Sequence, residues 1–161
     1  MTIKWKLKPG TTWRAKLQKD QPPKLVQIPP KMQNRFGTGT MLVPRPLDVD
    51  SLIRTIPKGK LATTSQIADR LAKDCRADCA CPMTTGIFIK IAAAAAEEDL
   101  ANGKKRITPY WRVIKSDGQL NEKFPGGTAA QAKRLRAEGH TISAASSKPR
   151  VKDFSLSLAK L

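Results

Sequence analysis

Residues 63–103 read TTSQIADRLAKDCRADCACPMTTGIFIKIAAAAAEEDLANG, and this stretch decides the fold. Its first part predicts a helix. Ile67, Ala68 and Leu71 share one face, Thr64 or Ser65 is placed as an N-cap, and the run ends near Asp74. Its last part predicts a longer helix from Thr84. The alanines at 92–96 favour helix intrinsically, Ile87, Ile91 and Ala95 make one stripe, and Asn102-Gly103 supplies the stop. A short cysteine-rich connection leads to Pro82 between them. Helix, short connection, helix is the arrangement of a DNA-reading helix-turn-helix.

Working outward, residues 48–56 read as a short helix whose free N–H groups Asp48 or Asp50 can accept, stopped by Pro57-Lys-Gly59. Downstream, residues 106–114 alternate weakly and Ser116-Asp-Gly118 is a turn, which predicts a small hairpin or wing. A last helix over 127–138 buries Ala132 and Leu135, exposes Lys133, Arg134 and Arg136, and is capped by Gly139. Residues 1–46 hold seven prolines and little helical period, so they read as an extended basic segment, ordered from about Leu25. Its candidate anchors are Trp5, Trp13, Val26, Ile28, Phe36, Met41 and Leu42. Residues 143–161 read as a mobile basic tail in which Phe154, Leu156 and Leu158 are candidates for docking. The expected architecture is mainly α with a small β element: a winged helix-turn-helix-like domain over 47–142 between two basic flanks.

The charge agrees with this division. Of 161 residues, 30 are Lys or Arg and 13 are Asp or Glu, a formal net charge of +17. The net is +7 over residues 1–50, +1 over 51–100 and +9 over 101–161, so the excess sits on either side of the apolar centre. Such a balance points to a polyanionic partner, most plainly nucleic acid. No apolar run is long enough to span a membrane, and the MTIKWKLKPG start lacks the apolar core of a secretory signal. The composition fits a monomeric, cytoplasmic protein and excludes an integral membrane protein or a disulfide-built scaffold.

Cys75, Cys79 and Cys81 are spaced C-x3-C-x-C, short of the four ligands that tetrahedral zinc takes, with His140 the chain's sole histidine. The expectation is three reduced thiols with no metal and no cofactor. His140, just past a helix end, is expected to meet the helix dipole. Lys104-Lys-Arg106 and Lys133-Arg-Leu-Arg136 are either phosphate contacts or solvated faces. Tyr110 and Trp111 either wall a base pocket or fill the core of a domain short of large residues.

Six pieces in order carry a resemblance: Ile56-Pro-Lys-Gly-Lys, Thr63-Thr-Ser-Gln-Ile-Ala, Pro109-Tyr-Trp-Arg-Val-Ile, Ser116-Asp-Gly118, Pro125-Gly-Gly127 with Lys133 behind it, and Glu138-Gly139. Over about half of the chain this order resembles the C-terminal domain of the methylated-DNA–protein-cysteine methyltransferases and their alkyltransferase-like relatives. That family turns an alkylated guanine out of duplex DNA and passes the alkyl group to a cysteine in a Pro-Cys-His-Arg motif, relayed by a distant Glu. The resemblance places a degenerate acceptor pocket at Pro109, Tyr110, Trp111, Arg112 and Glu138. It places DNA contacts at Thr63, Thr64, Ser65, Gln66, Thr84, Thr85, Gly86, Lys90, Arg112, Lys115 and Lys133. Tyr110 stands at the acceptor and Trp111 at the base; an indole offers a donor and no proton-accepting nitrogen. The family's nucleotide-turning tyrosine falls at Thr64, and no residue near 84–86 matches the arginine that fills the emptied stack.

The resemblance thus implies a non-catalytic DNA-binding protein of this family that recognises alkylated guanine in DNA repair. The alternatives are an active transferase using a displaced cysteine, for which Cys81 before Pro82 is the candidate, and a basic RNA-associated protein on the same scaffold.

Overall fold

The computed structural model describes residues 7–19, 21–143 and 147–161, and Trp5 lies outside them. Its axis is α5, Pro82–Ala101, which packs against α1 (Trp13–Leu17), α3 (Pro46–Arg54), α4 (Thr64–Asp74) and the 3-10 turn Tyr110–Arg112. The alanine run follows from this crowding. Ala92, Ala93, Ala95 and Ala96 are fully buried, so small side chains are what let neighbours close in on several sides at once. The expected single stripe is therefore a helix buried nearly all round, with Phe88, Ile89 and Ile91 buried beside the alanines.

The helix caps are set by local chemistry. The N-cap of α4 is Thr63, one residue before the expected position. It forms a capping box: the Gln66 N–H donates to the Thr63 hydroxyl at 3.1 Å, and the Thr63 N–H donates to the Gln66 side chain at 2.9 Å. In α3 neither Asp48 nor Asp50 is the cap; Pro46 opens the helix after Arg45, its fixed φ already helical. Asp50 instead accepts from the Thr108 hydroxyl at 2.6 Å inside the core. The last helix, α6 (Gly127–Ala137), buries Ala132 and Leu135.

Three small sheets join these helices. β2 (Thr40–Val43) pairs antiparallel with β1 (Lys24–Gln27) and parallel with β4 (Cys79–Ala80), so the expected loop between α4 and α5 contains a strand. The one-turn helix α2 (Gln33–Phe36) lies in the connection from β1 to β2. β5 (Val113–Ile114) pairs in parallel with β3 (Ala62–Thr63), not in a hairpin with the residues after it. The expected wing is reduced to a tight turn closed by the Lys115 N–H on the Gln119 carbonyl at 2.9 Å and the Gly118 N–H on that of Lys115 at 2.9 Å.

The described residues of both flanks fold onto the domain. The Glu98 carboxylate accepts from the Trp13 and Arg14 N–H groups at 3.0 and 3.1 Å, capping α1, and Arg14 pairs with buried Asp99. Burial pushes the Asp99 carboxyl up, yet Arg14 and Lys104 outweigh it and hold it below the ordinary range. Leu17 is fully buried, so order begins well before Leu25. The other end forms β6 (Ile142–Ser143) antiparallel with β7 (Arg150–Val151), then runs beside Leu61, whose carbonyl accepts from Ala159 N–H at 2.7 Å. Phe154 and Leu158 pack on the core while Leu156 stays exposed. Gly118, at φ +89°, lies under Phe154 where a Cβ would strike the ring. No helix among the described residues is long and apolar enough to cross a membrane.

If the N-terminal segment belongs to the cooperative core, Leu17→Ala lowers stability by about 2–5 kcal/mol. In urea unfolding this reads as a lower midpoint at unchanged slope. A variant as stable as the parent would place α1 outside the folding unit.

Candidate DNA interface and base pocket

The acceptor motif folds around one carboxylate. Glu138, at the C-cap of α6, accepts from Arg112 Nε at 3.0 Å, from Arg112 Nη2 at 2.7 Å and from the Trp111 indole N–H at 3.0 Å. The Gly59 N–H donates to its other edge at 3.4 Å, and Arg112 Nη1 donates to the Ile56 carbonyl at 2.6 Å. Residues 26 to 79 positions apart in sequence thus meet at this one pair. Its side chains are only 14% and 7% exposed. Burial pushes the Glu138 carboxyl up, but hydrogen bonds from Arg112 and Trp111 and the Arg112 charge carry it below the usual carboxylate range.

This geometry leaves no proton relay. The Trp111 nitrogen spends its only hydrogen on Glu138, so the carboxylate has no route through residue 111 to residue 110. Tyr110 points elsewhere: its hydroxyl donates to Glu97 Oε1 at 2.6 Å, and Arg134 Nη2 donates to the same oxygen at 2.8 Å. Burial, and then the bond to Glu97, push the phenol far above its ordinary pKa, so it stays protonated.

The two aromatics both fill the core and form walls. Tyr110 packs edge-on against Trp111 and Phe124, with centroids 5.4 and 5.3 Å away. It also lines a cavity of about 560 Å³ with Glu97, Pro125, Gly126, Ala130, Lys133 and Arg134. Gly126 permits that wall: at φ +77° its absent Cβ would stand 2.5 Å from the Cβ of Ala130. Trp111 borders a second cleft, of about 400 Å³, with Arg54, Lys105, Arg106, Arg112 and Arg134; the Arg134 guanidinium lies 4.3 Å from its ring.

The structure divides the expected DNA contacts. Thr64, Ser65, Thr85 and Gly86 come together in a cleft of about 360 Å³ that also holds Ser116, Arg35 and Phe36. Ser65 and Ser116 share a hydrogen bond of 2.5 Å across it. The Thr85 hydroxyl is buried with no partner among the described residues. Thr63 and Gln66 are taken up by the capping box, and Gln66 also donates to the Ala159 carbonyl at 3.1 Å. Arg112 is engaged by Glu138 and Ile56, which turns it inward, away from a phosphate. Thr84 donates to the Cys81 sulfur at 3.3 Å, Lys115 pairs with Glu122 at 3.0 Å, and Lys133 stands at the Tyr110 cavity. Burial, helped by the charge of Lys123, lowers the pKa of Lys90.

Sequence reasoning did not single out Glu97 or Arg35, and it marked Phe36 only as an anchor for the N-terminal segment. The signal for Glu97 was there: Glu97-Glu98-Asp99 is an acidic run in a basic chain. Arg35 and Phe36 reach the cleft only through the pairing of β1 and β2, which no local motif announces.

Cys79 and Cys81 belong to a small core group separate from the one that holds Tyr110, against which Cys75 packs. Cys79 is buried with Ile28 and Met41, and Cys81 packs against the same group. Burial, then Asp78 and Cys81, push the Cys79 thiol up. Among the described residues, no three His, Cys, Asp or Glu side chains are grouped to hold a metal. The His140 N–H donates to the Leu135 carbonyl at 3.0 Å, and burial lowers its imidazole pKa against a smaller opposing effect of Glu138. A larger cleft of about 620 Å³ between α3 and α4 contains none of the acceptor-motif or expected DNA-contact residues.

Two measurements probe this arrangement. Glu138→Gln leaves Arg112 buried without its counter-charge, at a cost of about 3–5 kcal/mol at pH 7. Because Glu138 is more acidic folded than unfolded, its contribution is complete above the unfolded value of about 4.3 and is lost as pH falls through the folded one. Urea unfolding should therefore show the gap between parent and variant narrowing at pH 3; a constant gap would mean the pair is not ionised. Tyr110 is the sole tyrosine, so phenolate absorbance reports it alone. It should ionise only well above the ~10 of free tyrosine, and move back toward that value in Glu97→Gln. An ordinary titration would place the hydroxyl in water.

Comparison with known proteins agrees with the geometry. The profile described as 6-O-methylguanine DNA methyltransferase, DNA binding domain, matches residues 47–140. Among solved structures, S. pombe Atl1 in complex with damaged DNA containing O6-carboxymethylguanine is similar with a TM-score of 0.53 at 21% identity. S. pombe ATL in complex with DNA is similar with a TM-score of 0.52 at 21% identity. Each match covers 72% of this chain and 94% of the other. No curated protein matches. The chain belongs to the 6-O-methylguanine DNA methyltransferase family, whose DNA-binding domain it carries over residues 47–140.

Proposed function

We propose that the protein binds duplex DNA containing an alkylated guanine and holds the turned-out base without taking its alkyl group. The observation that carries this reading is the Trp111 indole N–H on Glu138: the motif that activates a nucleophile in the family is here a static hydrogen-bonded strut. Tyr110, protonated and bonded to Glu97, offers no anion to accept an alkyl group. The shared fold supports DNA as the partner, since Atl1 is seen with a carboxymethylated guanine in DNA.

The parts then have defined tasks. The cavity beside Tyr110 receives the base, and the cleft at Thr64, Ser65 and Ser116 meets the backbone. Turning out a base costs a few kcal/mol of stacking. Met83, 73% exposed on the first turn of α5, is the apolar side chain placed to wedge into the gap. The basic flanks add affinity without selectivity. We place the protein in the cytoplasm as a monomer, where its three thiols stay reduced.

Intact mass after incubation with a duplex bearing O6-methylguanine tests the reading, alongside mobility shift on alkylated DNA, plain DNA and structured RNA at matched salt. The mass should not change, alkylated DNA should bind tightest, Met83→Ala should weaken that binding, and all binding should fall as salt rises. A gain of one methyl group that disappears in Cys81→Ser would establish a transferase instead, and tighter binding to RNA would replace DNA as the partner.

A further inference from the structure

The cavity beside Tyr110 holds one acid among bases. Tyr110 and Arg134 both donate to Oε1 of Glu97, while Oε2 takes no hydrogen bond from any described residue. The carboxylate is half-buried, its side chain 32% exposed, and it is fixed in place from two sides. An acceptor held by two donors on one oxygen, with its second oxygen uncommitted among the described residues and the residue lining a cavity of about 560 Å³, is able to read a ligand. The other polar groups of the wall, Lys133 and Arg134, are donors.

We propose that Glu97 is the base-reading residue of this cavity, its open oxygen accepting a hydrogen bond from the exocyclic 2-amino group of a guanine-type base. The inference rests on the reading that the cavity takes the turned-out base. One acceptor set against donors is the complement of a purine that carries an amino donor on one edge and nitrogen or oxygen acceptors on the others. Alkylation at O6 strips the N1 hydrogen from guanine and leaves the 2-amino group, so this contact survives in the lesion. A base without that group would cover the second oxygen of Glu97 and leave it without a donor, which costs more than a missing contact in solvent.

The test compares three duplexes: one with O6-methylguanine, one with O6-methylhypoxanthine, which differs only in lacking the 2-amino group, and one unmodified. The parent protein should bind the first roughly tenfold more tightly than the second, as expected for one hydrogen bond to a charged group. Glu97→Gln keeps an oxygen for Tyr110 and turns a donor into the cavity, so the preference should vanish or reverse. Asp74→Asn, a surface change at the end of α4 and outside this cavity, should retain it. Equal binding of both modified duplexes, each above plain DNA, would overturn the role of Glu97 and leave the base pocket standing. Equal binding of all three would remove the pocket and this inference together. Should Glu97→Gln fail to fold, the parent protein's ratio between the two modified duplexes still decides.

Discussion

The ion pair between Arg112 and Glu138 is the constraint on which the family domain depends. It draws together the loop before α4, the turn that carries the acceptor motif and the end of α6, through donors of Gly59, Trp111 and Arg112. A buried pair of this kind adds little net stability over an apolar contact, but it penalises every arrangement in which one partner is left alone. That selects a single relative placement of the three segments, and Tyr110 is close to the pair along the chain. Its orientation toward Glu97 follows from the orientation of the clamp. Within the clamp Trp111 acts as a pure donor.

Much of this was legible in the sequence because the relevant signals are local. The helices at α4, α5 and α6 follow from spacing, capping residues and terminal glycines within a few positions of where they occur. Glu138 and Arg112 were visible as matched positions, and so was the replacement of the motif's cysteine and histidine by Tyr110 and Trp111. What escaped was long-range pairing. A two-residue strand such as β4 has no periodicity to detect, and it exists because β2 lies beside it. The parallel pairing of β5 with β3 replaced the expected hairpin for the same reason: nothing within 106–118 encodes a partner so far upstream. The helix α1 is five residues long and would not form in isolation; Glu98, distant in sequence, completes its first turn.

The charge also has more structure than its sum suggests. Repulsion within a chain of net +17 would be expected to loosen the flanks, yet both are fastened. At the N-terminal side the fastening is electrostatic, through Glu98 and Asp99. At the C-terminal side it is strand-like, through Leu61 and Ala159. The described residues of the flanks therefore present their cations from ordered backbone, which gives the basic surface a shape as well as a sign.

Glu97, Glu98 and Asp99 follow one another along a single turn of α5: the first faces the Tyr110 cavity, and the other two hold α1, by its first N–H groups and by the Arg14 side chain. One residue added or removed within the preceding alanines would turn all three by about 100° and exchange their partners. The alanine run is thus a ruler. Burial limits the size of any substitution along it, and its length sets the phase by which the helix couples the pocket to the segment that wraps it.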